Sequence, residues 1–307
     1  MNRRDCLKSI AAAGTASSIP QILQAAEGEK FKIDYVLATA LYGDMKLSEI
    51  LPEVEHTGSI GIDIWGKPHG TQREEIDQMG IEAFGEMLAE TGTKVVASTR
   101  YPLGCFGLQP EMPILKQLGG KILVAGSPKT RELKNAELKS AVSEFIEAMK
   151  PHADAAAEHG LTIAIENHSD QLISGPDAIR YFGEFNRHPA MGLAFAPHHL
   201  KDHMGKIPEL ILELGKANLP FIYFQEYGDG AFHKLQKQVE LEQMPGRGTL
   251  DYVILMRALK YIDFDGVGEI FMHPTPRGIP VLESVDSITE LFNESRIYID
   301  QCIKELG

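Results

Sequence analysis

The chain has 307 residues, 43% of them hydrophobic and 24% charged, a globular composition with ample core for one large α/β domain or two small ones. Its formal net charge of -13 opposes a nucleic-acid backbone and offers no polybasic patch for anionic lipid. Neutral, cationic or metal-bridged small molecules are the expected partners, and no stretch approaches the ~18 uninterrupted apolar residues of a membrane span.

Residues 1–26 read as an address. Asn2-Arg3-Arg4-Asp5-Cys6-Leu7-Lys8 sets paired arginines ahead of a weakly apolar Ala/Ser/Gly run to Leu23, and Ala25 and Ala26 are small enough to suit cleavage. The segment resembles a twin-arginine export signal, while Gly14, Ser17, Ser18 and Pro20 make it a poor first helix. The expectation is an exported, periplasmic protein whose folded part spans 27–307.

From there β-rich runs alternate with helical patterns eight times, with no composition break or low-complexity linker. The strands are expected at Lys32–Ala40, Ser59–Trp65, Lys94–Thr99, Lys121–Ala125, Leu161–Glu166, Met191–Ala196, Phe221–Gln225 and Val267–Phe271. Helices such as Leu138–His159 and Leu250–Ile262 fall between them, several stopped by glycine, as at Gly92 and Gly160. Eight such units predict a single-domain (β/α)8 TIM barrel, for which ~250 residues is typical. A doubly wound sheet is disfavoured because no Gly-x-Gly-x-x-Gly follows the first strand. Cys105 and Cys302 then fall near opposite ends of the barrel and are expected to be free thiols.

Barrel chemistry gathers where strands end. Leu161-Thr-Ile-Ala-Ile-Glu-Asn-His-Ser169 is an apolar strand that closes abruptly in an acid, an amide and an imidazole. With Glu166 inward, the two-residue period puts Thr162 and Ala164 on the same face, Ile163 and Ile165 outward, and His168 on Glu166's side. Val267-Gly-Glu-Ile-Phe-Met-His273 repeats the grammar with Glu269 and His273. Two inward carboxylates would repel in an apolar barrel unless one stayed protonated or a cation lay between them. On strand seven either Gln225 or Glu226 can face inward, and periodicity leaves both open. Gly228–Thr249 and Pro274–Ser287 are long connections of the kind that form lids or binding loops.

Taken in order, Gly61-Ile-Asp-Ile-Trp65, Ile165-Glu-Asn-His168, Ala196-Pro-His-His-Leu200, the end of strand seven near Gln225, and Glu269 resemble the xylose isomerase-like barrel superfamily of sugar isomerases, keto-sugar epimerases, inosose dehydratases and metal-dependent apurinic endonucleases. The resemblance covers about residues 31–305. Its epimerase-like members hold one divalent metal with a Glu on strand five, the Asp of an Asp-x-x-His motif on strand six, a His on strand seven and a Glu on strand eight. That implies Glu166 and Glu269 as metal ligands and as acid/base partners, and His199 as a substrate contact. Two positions depart: Ala196 stands for the Asp and Gln225 for the His, so that Gln225 offers a carbonyl oxygen and alanine offers nothing. His198 or His168 can fill the gap, a mixed set suited to Mn, Zn, Co or Fe rather than to the all-oxygen cage of Mg.

The implied activity is that of a metal-dependent sugar isomerase or epimerase that abstracts a proton α to a carbonyl. A keto-sugar lyase or dehydratase is its enzymatic alternative, and Ala196 favours a third reading, a non-catalytic carbohydrate-binding barrel. The substrate would be a small sugar or keto-sugar. Trp65 either stacks on it or packs at the rim, and His168, His199 and His273 would contact it. Arg247 and Arg277, in loops seven and eight, either bind substrate or brace their own turns.

Overall fold

The computed structural model describes residues 31–307. The arginine-bearing segment at residues 1–26, and with it the expected export signal, lies outside the described residues. Eight parallel strands close into a barrel in sequence order: β1 (Asp34–Ala38), β2 (Ile62–Trp65), β3 (Val95–Thr99), β4 (Ile122–Gly126), β5 (Thr162–Glu166), β6 (Met191–Phe195), β7 (Phe221–Phe224) and β8 (Val267–Ile270). Helices run between them, among them Asn135–Glu158, Tyr252–Tyr261 and Val285–Lys304. Each expected strand is present; seven are shorter by up to three residues at an end, and β4 is shifted by one residue to end at Gly126. The differences fall where ladder pairing stops at the rims of the barrel.

Strand register carries one inward face around the whole barrel. Gly126 pairs with Glu166, Glu166 with Ala194, Ala194 with Phe221, Tyr223 with Glu269, Glu269 with Val36, Ala38 with Asp63 and Trp65 with Thr99. Because parallel partners in register share a face, Thr162, Ala164 and Glu166 point inward as their alternation dictates, and Tyr223 carries Gln225 inward with it. Glu226, one residue on, turns the other way and anchors the following loop. Its carboxylate accepts from the backbone N–H of Gly246 (3.1 Å) and of Leu250 (2.8 Å). Gly248 permits that approach, since a Cβ there would lie 2.2 Å from the Glu226 carboxylate. The 228–249 connection is not structureless: it folds into the short helices Asp229–Ala231, Lys237–Glu240 and Leu241–Gln243.

Bulky outward residues such as Ile163, Ile165, Leu193 and Ile222 are fully buried beneath the helices. Inside, Ala97, Ala164, Gly192 and Ala194 keep the bore open, so polar side chains on neighbouring strands fit without clash. Cys105 and Cys302 are free and buried. Among the described residues no helix is long and apolar enough to cross a membrane.

Candidate active site

The C-terminal mouth of the barrel is assembled by backbone pairing carried past the strand ends. Beyond Glu166 the Asn167 side chain takes over from the β5 backbone: its amide donates to Ala196 O (3.0 Å), and its carbonyl accepts from Ala196 N (2.8 Å). This two-bond clamp fixes where the chain leaves β6 and enters the 3-10 stretch Pro197–Lys206, whose first turn brings His198 and His199 over Glu166. His199 Nε2 stands 3.5 Å from Glu166 Oε1. Ligand atoms of Glu166, His198 and His199 all lie within 4.8 Å of one another. His168, His199 and His198 form a run of tilted rings, with centroids 4.0 Å and 4.1 Å apart.

Gln225 reaches the same space with its amide orientation fixed by Gln243. Gln243 is fully buried, and its Nε2 donates to the carbonyls of Glu240 (3.0 Å) and His273 (2.8 Å). Its Oε1 must therefore face donors, and accepts from Gln225 Nε2 (3.0 Å) and His273 N (3.1 Å). Gln225 is left presenting Oε1, which is buried with no partner, among His168, His198, His199, His273 and Arg277.

Deeper in the bore lies a second polar group. Glu269 and Asp63 are fully buried on either side of β1; Asp63 accepts from Thr99 Oγ1 (2.5 Å), while neither Glu269 oxygen has a partner. Burial, followed by the neighbouring Asp63 charge, raises Glu269 well above the usual carboxylate range. Burial raises Asp63 as well, so the pair holds a proton near neutrality. Glu166 is pushed up to about 7, also by burial, with His168 opposing. The imidazoles move the other way. His69 and His199 are lowered to about 4, and His198 and His273 well below their usual value, by burial first and then by neighbouring rings and Arg277.

Aromatic side chains wall this chamber. Trp65 stacks on Phe271 at 4.8 Å and 11°, and with His69, Tyr101, Tyr223, Glu166, His168 and His273 encloses a cavity of about 50 Å³. A neighbouring cavity of about 100 Å³, sharing His168 and His273 as walls, holds His198, His199, Gln225 and Arg277. Among the described residues, twelve of the seventeen buried side-chain polar atoms that lack a partner belong to this one cluster. Buried polar atoms are normally satisfied, so such a density marks a place built to engage a ligand or ion.

The donor set fits a divalent metal. Two imidazoles and a carboxylate whose ligand atoms already lie within 4.8 Å match the nitrogen and oxygen chemistry of Zn, Fe, Co or Mn, and the imidazoles are neutral as ligation requires. The structure groups the expected residues unevenly. Glu166 and His198 come together with His199, which the resemblance made a substrate contact; Gln225 stands beside them, and Glu269 faces Asp63. Trp65, His168, His273 and Arg277 line the chamber. Arg247 does not reach it, because its guanidinium pairs with Glu294 on the Val285–Lys304 helix and braces its own loop. Sequence reasoning assigned no role to Asp63, His69, Tyr101, Tyr223 or Gln243. An acid inside the apolar run Ile62-Asp63-Ile64 was a signal for the first, whereas Gln243 left none.

A family model described as xylose isomerase-like TIM barrel matches residues 52–291. No curated protein matches the sequence. Among solved structures the chain is similar to the IOLI protein with a binding zinc atom, at 17% identity and a TM-score of 0.70, covering 87% of this chain and 98% of that one. It is also similar to D-allulose 3-epimerase from Methylomonas sp. in complex with D-allulose (15% identity, 88% and 96% coverage, TM-score 0.64). A third is the apo form of 3-keto-D-glucoside 4-epimerase from E. coli (14%, 87% and 100%, 0.63). At these identities the likeness shows the fold.

Proposed function

Because the chain belongs to the xylose isomerase-like TIM barrel family, we propose that it is a metal-dependent isomerase or epimerase that removes and returns a proton α to the carbonyl of a sugar or keto-sugar. The observation that carries this reading is the convergence of Glu166, His198 and His199 within ligand distance of one another. These three would hold one divalent cation, with Gln225 Oε1 as a further donor. A bound cation supplies Lewis-acid polarisation of a carbonyl oxygen.

The chain's own groups supply the proton chemistry. Glu166, held near 7 by burial, has the pKa of a general acid/base at neutral pH. Glu269, raised by burial and by the neighbouring Asp63 charge, faces the bore beside Tyr223 with both oxygens unpartnered and would serve as the second acid/base group. The neutral histidines donate or accept hydrogen bonds to substrate hydroxyls without adding charge. Trp65 and Phe271 exclude water on one side and offer an apolar face to a sugar ring. Expulsion of a β-hydroxyl after the same abstraction would make the enzyme a dehydratase. Ala196, which places a methyl group where a ligand would otherwise stand, supports the second reading, a carbohydrate-binding barrel. Export through residues 1–26 is part of the proposal, and would place the enzyme among free rather than phosphorylated sugars.

The reading is tested by incubating metal-loaded protein with a panel of ketoses and keto-sugars in deuterium oxide. Solvent deuterium should enter the carbon next to the carbonyl. Turnover with no label at any carbon would point to hydride transfer between carbons instead, and binding with neither turnover nor exchange would support the binding-protein reading.

A further inference from the structure

We propose that the substrate carries a carboxylate and that Arg277 receives it, which narrows the sugar to a sugar acid. The inference rests on reading the chamber as a sugar site and adds the class of sugar. Arg277 lies in the loop after β8 and lines the cavity that His198, His199, Gln225 and His273 also line. Its one protein hydrogen bond runs from Nη1 to the carbonyl of Pro274 (2.9 Å), within its own loop. The remaining guanidinium edge forms no ion pair among the described residues.

The nearest acids are occupied elsewhere. Glu226 accepts from the backbone of the loop that follows it, and Glu240 pairs with Lys237 at 3.0 Å. The contrast with other arginines is informative. Arg73 meets Glu111 at 2.9 Å and Arg180 meets Glu213 at 2.7 Å, and both are pushed up. Arg277 is lowered to about 10 because its burial is opposed only by the Glu240 charge. A half-buried guanidinium without its anion is costly to keep, and a planar carboxylate is the group that matches its free edge with two parallel bonds.

The charge count selects a carboxylate over a phosphate. Arg277 is the one Lys or Arg side chain lining the cavity, while Glu226 commits its carboxylate to the backbone of its own loop. One carboxylate matches the single charge of that guanidinium and leaves the proposed cation to Glu166 and the sugar's carbonyl and hydroxyl oxygens, whereas a phosphate dianion exceeds it. Since His198 and His199 belong to the same cavity, a sugar acid with its carboxylate on Arg277 would direct its carbonyl and hydroxyl carbons toward Glu166.

Trp65, the chain's single tryptophan, lies in the adjoining wall and reports occupancy by its fluorescence. Titrations with glucuronate and gluconate, their neutral counterparts glucose and glucitol, and glucose 6-phosphate would be run at fixed ionic strength on zinc-loaded and on chelator-treated protein. The acids should bind at least about 10-fold tighter than the neutral sugars in both forms, as charge-assisted bidentate pairing allows. Arg277→Met should erase the preference while leaving neutral-sugar affinity in place. Should that variant fail to fold, Arg277→Gln, which keeps a donor for the Pro274 carbonyl, carries the same comparison. Equal binding of acids and neutral sugars, tighter binding of the phosphate, or a preference that survives loss of the guanidinium would overturn the proposal. A preference that persists without zinc keeps it standing even where the metal reading fails.

Discussion

The two ends of the barrel differ in a way that cavity size conceals. At the N-terminal end a cleft of about 980 Å³ runs between Ile60, Leu88, Val95, Leu118 and Ile122. At the C-terminal end two cavities total a fraction of that volume, yet the described residues lining them hold nine buried polar atoms without partners, two imidazoles over a carboxylate, and a guanidinium without an anion. The first end is apolar surface that packs helices. The second is polar matter held out of bulk water, the signature of a place that engages a ligand, an ion or ordered water. Density of unsatisfied polar groups, rather than volume, locates the chemistry.

The comparison breaks most easily at Glu166. Glu166→Gln should cost about 100-fold to 10,000-fold in turnover, as removal of an acid/base group commonly does, with little change in melting temperature. A variant that kept its turnover would move the chemistry to Glu269. Leu88→Ala at the opposite end should do the reverse, lowering stability by about 3 kcal/mol in denaturant titration while leaving the activity per folded molecule unchanged. A loss of kcat in that variant would mean the ends are coupled, against the separation drawn here.

Gln243 sharpens the contrast within the mouth itself. Gln243→Leu removes the acceptor that orients Gln225 and should weaken zinc binding by roughly 10-fold, the scale of a lost supporting hydrogen bond at a metal site. Zinc titration should find Gln225→Leu equally weakened, and the double variant no worse than either. Additive losses would show that the two act separately.

The smallest effect expected is in pH. Glu166 is raised to about 7 in the metal-free fold against its ordinary value of 4.5, so the folded protein holds a proton that a cation must displace. The contribution of Glu166 to the stability of the metal-free fold is therefore lost as pH rises from about 4.5 through about 7, while the lowered histidines contribute in the opposite sense. Stabilisation by zinc should grow over the same window and level off above it. His199 and His69, already neutral above about 4, add no proton release there. Thermal shift with and without zinc from pH 5.5 to 8 measures this, and a flat difference would separate Glu166 from the metal.

The barrel was legible because period-2 runs and glycine stops are local signals, and strand parity then put Glu166 and Glu269 inside without any knowledge of contacts. What escaped was whatever the closure of the barrel brings together. Asp63 and Glu269 lie 206 positions apart and meet only because β8 and β2 flank β1. Gln243 acts through a helical turn inside what reads as loop, so its hydrogen bonds have no periodic trace. His199 comes to stand over Glu166 beside His198 because the Asn167 clamp, rather than any motif, sets where the turn after β6 begins. Arg247 and Arg277 look alike in sequence, each amid glycine or proline, and only the position of Glu294 separates a brace from a cavity wall.

The central claim, that Glu166, His198 and His199 hold one divalent cation, is tested most directly by elemental analysis of protein purified without chelator. About one zinc, iron, cobalt or manganese per chain is expected in the wild type, with loss of most of it in both Glu166→Gln and His198→Ala at unchanged circular dichroism. A wild type that carries no metal and takes up none on dialysis against zinc, or variants that retain the full content, would contradict the account.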